Sequence, residues 1–247
     1  MGDIKSFMAL SMHKAGSSIT QQILTDFAIA KGYEIDLVSH QVSDSPMKEA
    51  DLFRSYQDQM RLQGVYYGVA RGPYVRSLKI LDRLKTIIQI RDPRDCLISG
   101  YFSFTISHPA PRNPDKQKNF ERKRAKRMQM TADEFALDRA ENYRMRMQIL
   151  ADIAERHDDC LMLKYEEMVT DTSTWLNRIS EFLEQPLTNE LIAALGEKID
   201  FNVSTEDVNK KKRQVTPGDH ARKLQPETIT ALNDILGEQM ARYGYTV

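Results

Sequence analysis

The sequence predicts an α/β fold, a three-layer sandwich with a central, mostly parallel sheet of about five strands covered by helices on both faces. Three observations support this. Short apolar or β-branched runs alternate with helical patterns along most of the chain. One run, KTIIQI at residues 85–90, is almost continuously apolar, as a strand buried on both faces must be. No internal repeat or linker divides the 247 residues, so residues 1–247 are expected to form one domain. In such a sheet, ligands belong at the carboxyl ends of the strands.

In chain order, the apolar run from Phe7 to Met12 predicts a first strand, followed at once by the turn His13-Lys14-Ala15-Gly16-Ser17-Ser18. Apolar Ile19, Ile23, Leu24 and Phe27 then follow a helical period, which stops at Lys31-Gly32. Residues 34–38 predict a second strand, 39–46 a polar loop and 48–62 a helix. Residues 64–70, GVYYGVA, predict a third strand and 74–84 a short helix before the fourth strand at 85–90. Residues 107–127 open with Pro109, Pro111 and Pro114 and continue through seven Lys and Arg residues. A long helix is expected over 131–157, a fifth strand at Cys160–Lys164, and mainly helix beyond it apart from a basic loop at 210–218. The methionines at 128, 130, 145 and 147, Trp175 and Cys96 read as packing residues.

Composition narrows the function. Charges balance at 35 basic and 35 acidic residues, so no global field recruits nucleic acid or a membrane, and anion binding must rest on local clusters. Two cysteines without a disulfide-like pattern suit a reducing cytosol. With no apolar stretch of bilayer length and no basic leader, a cytoplasmic location is expected. Nothing in the sequence speaks to the oligomeric state.

Two clusters carry chemistry. The turn at residues 13–18 sets backbone N–H groups, two hydroxyls and the Lys14 ammonium at the positive end of a helix dipole, a site for an oxyanion. It differs from the usual triphosphate loop, because Lys14 precedes Gly16 and the hydroxyls follow. Alone, it also reads as a helix capped by Ser17 or Ser18 beside a solvent lysine. The second cluster is Arg91-Asp92-Pro93-Arg94-Asp95 at the end of the fourth strand. Asp92 suits an N-cap, Pro93 the first helical position and Asp95 a capping-box partner. Capping leaves Arg91 unexplained. With Ser99 on the same helical face, it can grip a second phosphate.

Together these motifs resemble the sulfotransferase family, whose donor is 3′-phosphoadenosine-5′-phosphosulfate (PAPS) and whose product is 3′-phosphoadenosine-5′-phosphate (PAP). The resemblance covers most of the chain. Tyr101 extends the second motif, Leu163-Lys164-Tyr165-Glu166-Glu167-Met168 resembles a further family landmark, and residues 213–224, RQVTPGDHARKL, resemble the C-terminal loop. It implies a P-loop nucleoside-triphosphate-hydrolase-like fold and no metal. It also implies donor-binding roles for Lys14, Ala15, Gly16, Ser17, Ser18, Ile19, Arg91, Ser99, Tyr165, Phe201 and Arg213. The first loop would hold the 5′-phosphosulfate, Arg91 and Ser99 the 3′-phosphate, and Phe201 would lie near the adenine. Ile19 stands where many members have Trp, Gln214-Val215 where Lys-Gly is usual, and His220 where Trp is usual, so a differently built adenine pocket is expected.

Lys14 is assigned a catalytic role on the bridging oxygen, because a sulfuryl group in flight carries less charge than a phosphoryl group and one lysine with aimed amides can suffice. The acceptor, a small-molecule or carbohydrate hydroxyl, needs a base. The family's cytosolic branch uses a His where this chain has Arg71, which cannot accept a proton. His40, just past the second strand near Asp44, is the expected base, or else a polar loop histidine. His108 is a weaker candidate, and His13 is expected to point away. Arg71 reads either as a binder of an anionic acceptor group or as a surface ion pair. The basic run at 116–127 reads either as a solvated helix face or as a lid. Two alternatives remain: a small-molecule kinase on a related fold, and a non-catalytic adenosine-bisphosphate binder.

Overall fold

The computed structural model describes residues 4–42, 45–201 and 215–247. Five strands, β1 (Phe7–Ser11), β2 (Glu34–Ile35), β3 (Val65–Ala70), β4 (Lys85–Ile90) and β5 (Cys160–Lys164), form one sheet in the order β2-β3-β1-β4-β5, every pair parallel. The helices are α1 (Ser17–Ala30), α2 (Glu49–Tyr56), α3 (Pro93–Phe102), α4 (Pro114–Arg127), α5 (Ala132–Arg156), α6 (Tyr165–Thr170), α7 (Thr172–Leu183), α8 (Asn189–Leu195), α9 (Asp219–Lys223) and α10 (Pro226–Arg242). No helix among the described residues is long and apolar enough to cross a membrane.

The three layers follow from side-chain alternation. In β1, Met8 and Leu10 face one core with the α5 residues Met147 and Leu150 and the α10 residues Leu232 and Leu236. Phe7 and Ala9 face the other, with Ile23 and Phe27 of α1 and Trp175 of α7. In β4, Ile88 and Ile90 join the first core and Ile87 the second. A strand buried on both faces leaves little room for polar positions, which is why β4 matches its expected range; β5, an edge strand in which only Leu163 is buried, matches its range as well.

β3 breaks the alternation. Its pairing with β1 slips by one residue between Phe7↔Tyr66 and Ala9↔Val69, around Gly68 at φ 75°. Val65 and Tyr67 belong to the first core, whereas Val69 belongs to the second. This bulge reverses the facing of the residues after it and turns Arg71 towards α1.

Several expected ranges change. The second strand shrinks to Glu34–Ile35, because the chain turns sharply where the Val38 amide donates to the Asp36 carbonyl at 3.1 Å. Residues 74–84 form two 3-10 turns, Pro73–Ser77 and Lys79–Arg83, separated by extended Leu78. The 48–62 helix ends at Tyr56. Met128 and Met145 are exposed, so they do not pack, whereas Met147, Trp175 and Cys96 do.

Candidate functional site

The order β2-β3-β1-β4-β5 reverses direction at β1, and the loops leaving β1 and β4 therefore flank the crevice at the carboxyl edge. A cavity of about 470 Å³ lies there. Lys14, Gly16, Ser17, Ser18 and Ile19 line it from the first loop, and Arg91 and Ser99 from the second. Tyr165, Phe201 and Val215 complete that side.

The first loop folds through two left-handed residues, Lys14 at φ 70° and Gly16 at φ 81°. Gly16 is the N-cap of α1 and supplies no side-chain cap, so Ser17 and Ser18 are the first helical residues and cap nothing. The first-turn amides therefore face the cavity with the helix dipole behind them. A Cβ on Gly16 would stand 2.6 Å from Tyr165 Cδ2, so only glycine allows this approach. Ala15 is fully buried in the core, which leaves its backbone alone for any ligand.

Arg91 is 4% exposed. Its guanidinium donates to the Lys14 carbonyl at 3.3 Å, lies 3.5 Å from Asp95 and sits 4.3 Å over the Tyr165 ring, while its Nε has no partner. A nearly buried guanidinium on a cavity wall is prepared for an anion. Asp92 caps α3 as expected, accepting from the Arg94 amide at 2.9 Å. Asp95 does not complete a capping box. Its carboxylate instead accepts from the Gly218 and His220 amides at 2.8 and 2.9 Å and from His220 Nδ1 at 2.7 Å. Glu166 accepts from the Asp92 amide at 3.0 Å and from the Tyr245 hydroxyl at 2.7 Å, joining the 163–168 motif to α3 and the C-terminus. Tyr101 lies off the cavity and donates to the Met130 carbonyl.

The same cavity is also lined by His13, Ser39, Glu49, Arg71, Phe102, Phe104, His108 and Pro109. Arg71 Nε donates to Ser17 Oγ at 2.7 Å, and its amino groups reach the Val69 carbonyl and Gln21 Oε1, so it clamps the start of α1 rather than forming a surface ion pair. His13 lines the cavity, contrary to the strand-based expectation that it points away, because β1 ends at Ser11 and the chain has left the strand. Burial, with Arg146, Arg71, His108 and Lys14 around it, lowers its pKa to about 3. His40 is exposed, pairs with Gln21 Nε2 at 2.6 Å and is not on the cavity wall. The turn that shortens β2 carries it outward. Asp44 and Arg213 lie outside the described residues. Along α4 no residue is buried, and Arg124 donates to the Phe104 carbonyl at the cavity mouth. No cluster of His, Cys, Asp and Glu among the described residues is placed to hold a metal ion.

Sequence reasoning missed Glu49, whose only local signal is an acidic residue in a first helical turn. It also missed Asp95 and His220 as a pair, for which no local signal exists.

A family model described as "Sulfotransferase domain" matches residues 5–244. Among solved structures, the fold is similar to a mouse sulfotransferase complexed with PAP, at 15% identity and TM-score 0.68 over 96% of this chain and 84% of that one. It is similar to retinol dehydratase in complex with retinol and PAP, at 15% identity and TM-score 0.60 over 99% and 83%. A sulfotransferase domain from the curacin biosynthetic pathway aligns at 12% identity and TM-score 0.52 over 98% of each chain. No curated protein sequence matches the chain.

Proposed function

Since the chain belongs to the sulfotransferase family, we propose that the cavity is its PAPS site and that the two strand-tip cations grip opposite ends of the donor. The chain is a PAPS-dependent sulfotransferase, and the donor supplies the sulfuryl group. One observation carries the residue assignment: Lys14 and nearly buried Arg91, on neighbouring strand tips, open into a single cavity.

The residues present fit such a donor. The α1 amides at Gly16, Ser17 and Ser18 suit the 5′-phosphate, and the Lys14 ammonium suits the oxygen on which negative charge collects as the sulfuryl group departs. The Arg91 guanidinium and the Ser99 hydroxyl, both on the cavity lining, suit the 3′-phosphate. Tyr165 stacks beneath Arg91 and holds it flat, while Ile19 and Phe201 offer apolar walls for the base. Arg213 is retained as a donor-binding residue on the resemblance alone.

The acceptor is a hydroxyl of a small molecule or carbohydrate, entering past Phe102, Phe104, His108 and Pro109. Retinol dehydratase, a protein of similar fold, was crystallised with retinol and PAP, which supports a small-molecule alcohol as the acceptor. The two cysteines, Cys96 and Cys160, are unpaired, which suits a reducing compartment such as the cytoplasm. The test is transfer of labelled sulfuryl from PAPS to phenolic, aliphatic and sugar alcohols. Transfer to one class identifies the acceptor, whereas PAP binding without transfer to any favours a non-catalytic binder.

A further inference from the structure

We propose that Glu49, the one carboxylate lining the cavity among the described residues, takes the proton from the acceptor hydroxyl. This rests on the PAPS reading above and adds the group which that reading lacks. Attack by an alcohol needs a base, and the cavity lining offers three candidates: His13, His108 and Glu49. His13, with its pKa lowered to about 3, accepts a proton poorly and serves as a neutral hydrogen-bonding group. His108 is exposed at the mouth, its ring 5.9 Å from that of Phe120. His40 lies off the wall.

Glu49 is the first residue of α2, half-buried, and a chain of contacts ties its surroundings to the donor loop. Arg71 bonds Ser17 on the donor side, and its charge also acts on Glu49. The groups that face Glu49 are the Tyr74 hydroxyl, Arg71, Arg146 of α5 and Lys116 of α4. Burial raises the pKa of Glu49 and outweighs these neighbours, each of which lowers it. A carboxylate moved upward towards neutrality is a better base than an ordinary one. Arg71, placed where relatives carry a His, acts as a positioning residue: it fixes the start of α1 and limits how far the pKa of Glu49 climbs.

In the balanced step, the acceptor oxygen bonds to sulfur. The bond from sulfur to the phosphate oxygen breaks with its electron pair remaining on that oxygen, beside Lys14. The hydroxyl proton passes to Glu49, which later releases it to water.

Two measurements test this. In protein carrying 13Cδ-labelled glutamate, with the Glu49 signal identified by its loss in E49Q, Glu49 should titrate above its ordinary value of 4.5. It should titrate higher still with PAP bound, because the nucleotide's negative charge disfavours a second anion. Titration at or below the ordinary value, or indifference to PAP, overturns the proposal. In kinetics, E49Q should lose about 10²-fold or more in donor turnover, to water and to the alcohol panel alike. It should also lose the acidic limb of the rate–pH profile while binding PAP at least as tightly as the wild type, since a neutral residue there removes the repulsion, and formate should partly rescue E49A. Undiminished turnover in E49Q, or loss of its PAP binding, removes Glu49 as the base. Failure of the wild type to bind PAP strikes the donor reading instead.

Discussion

Asp95 and His220 are bonded side chain to side chain at 2.7 Å across 125 residues of sequence, and the same Asp95 carboxylate lies 3.5 Å from Arg91. The fully buried carboxylate thus joins the C-terminal segment to the cation that faces the cavity. Burial alone would raise the Asp95 pKa, but the His220 hydrogen bonds and the Arg91 charge outweigh it and hold the carboxyl well below the usual range. A depressed carboxyl adds stability above its unfolded pKa of about 3.9, and loses it as pH falls through the folded value. Asp95→Asn should therefore cost about 3 kcal/mol at neutral pH, since it leaves Arg91 buried without its counter-ion. The cost should shrink as the wild type is acidified below about pH 4, as urea titrations across pH would read. His220→Ala should cost less, about 1 kcal/mol, because the two backbone donors to Asp95 remain.

Arg91 separates charge from shape. Arg91→Lys keeps the charge but loses the planar fork and the stacking on Tyr165. PAP affinity should fall about tenfold or more in Arg91→Lys and further in Arg91→Ala, the range for a lost hydrogen bond to a charged group. Equal PAP affinity in all three proteins, by equilibrium dialysis, would remove Arg91 from the site.

Lys14 stands in the left-handed region at φ 70°, which costs a side-chain-bearing residue about 1–2 kcal/mol. The strain is tolerated at a position assigned to catalysis. Lys14→Ala and Lys14→Gly should both lose about 10²–10³-fold in turnover. The glycine variant should be the more stable of the two by about 1 kcal/mol, because only glycine adopts that conformation freely. Thermal melts of the pair, read beside their rates, test strain and chemistry separately.

Gly16 carries a steric requirement. In Gly16→Ala the new methyl would meet Tyr165 Cδ2 at 2.6 Å on a backbone at φ 81°. The ring must move from beneath Arg91, so stability should drop by about 2 kcal/mol and PAP affinity should fall with it. Thermal melts and PAP titrations of Gly16→Ala check both losses, and unchanged stability and affinity would remove the steric requirement.

Much of this was legible in the sequence where the physics is local. β4 read correctly because a run buried on both faces has a nearly apolar composition, and the short apolar run of edge strand β5 was still legible. Lys14, Gly16 and Arg91 stood out because phosphate binding at a helix start uses residues adjacent in the chain. The rest depends on distant contacts. Asp95 looked like a capping-box partner, but its carboxylate is taken by a loop 123 residues away. Arg71 reaches Ser17 because Gly68 bulges β3, and a single glycine in a strand does not announce which way the chain turns after it. Glu49 was hidden among other exposed-looking charges of a short helix, since only tertiary packing decides which of them faces a cavity.

The central claim is that one cavity grips both phosphate-bearing ends of a single adenosine nucleotide, and titration calorimetry of PAP against adenosine 5′-monophosphate tests it most directly. PAP should bind at one site per chain, and the monophosphate, which has nothing for Arg91 to hold, should bind at least about tenfold more weakly. That gap should narrow in Arg91→Ala. No heat with PAP, or equal affinity for the two nucleotides in the wild type, would contradict the account.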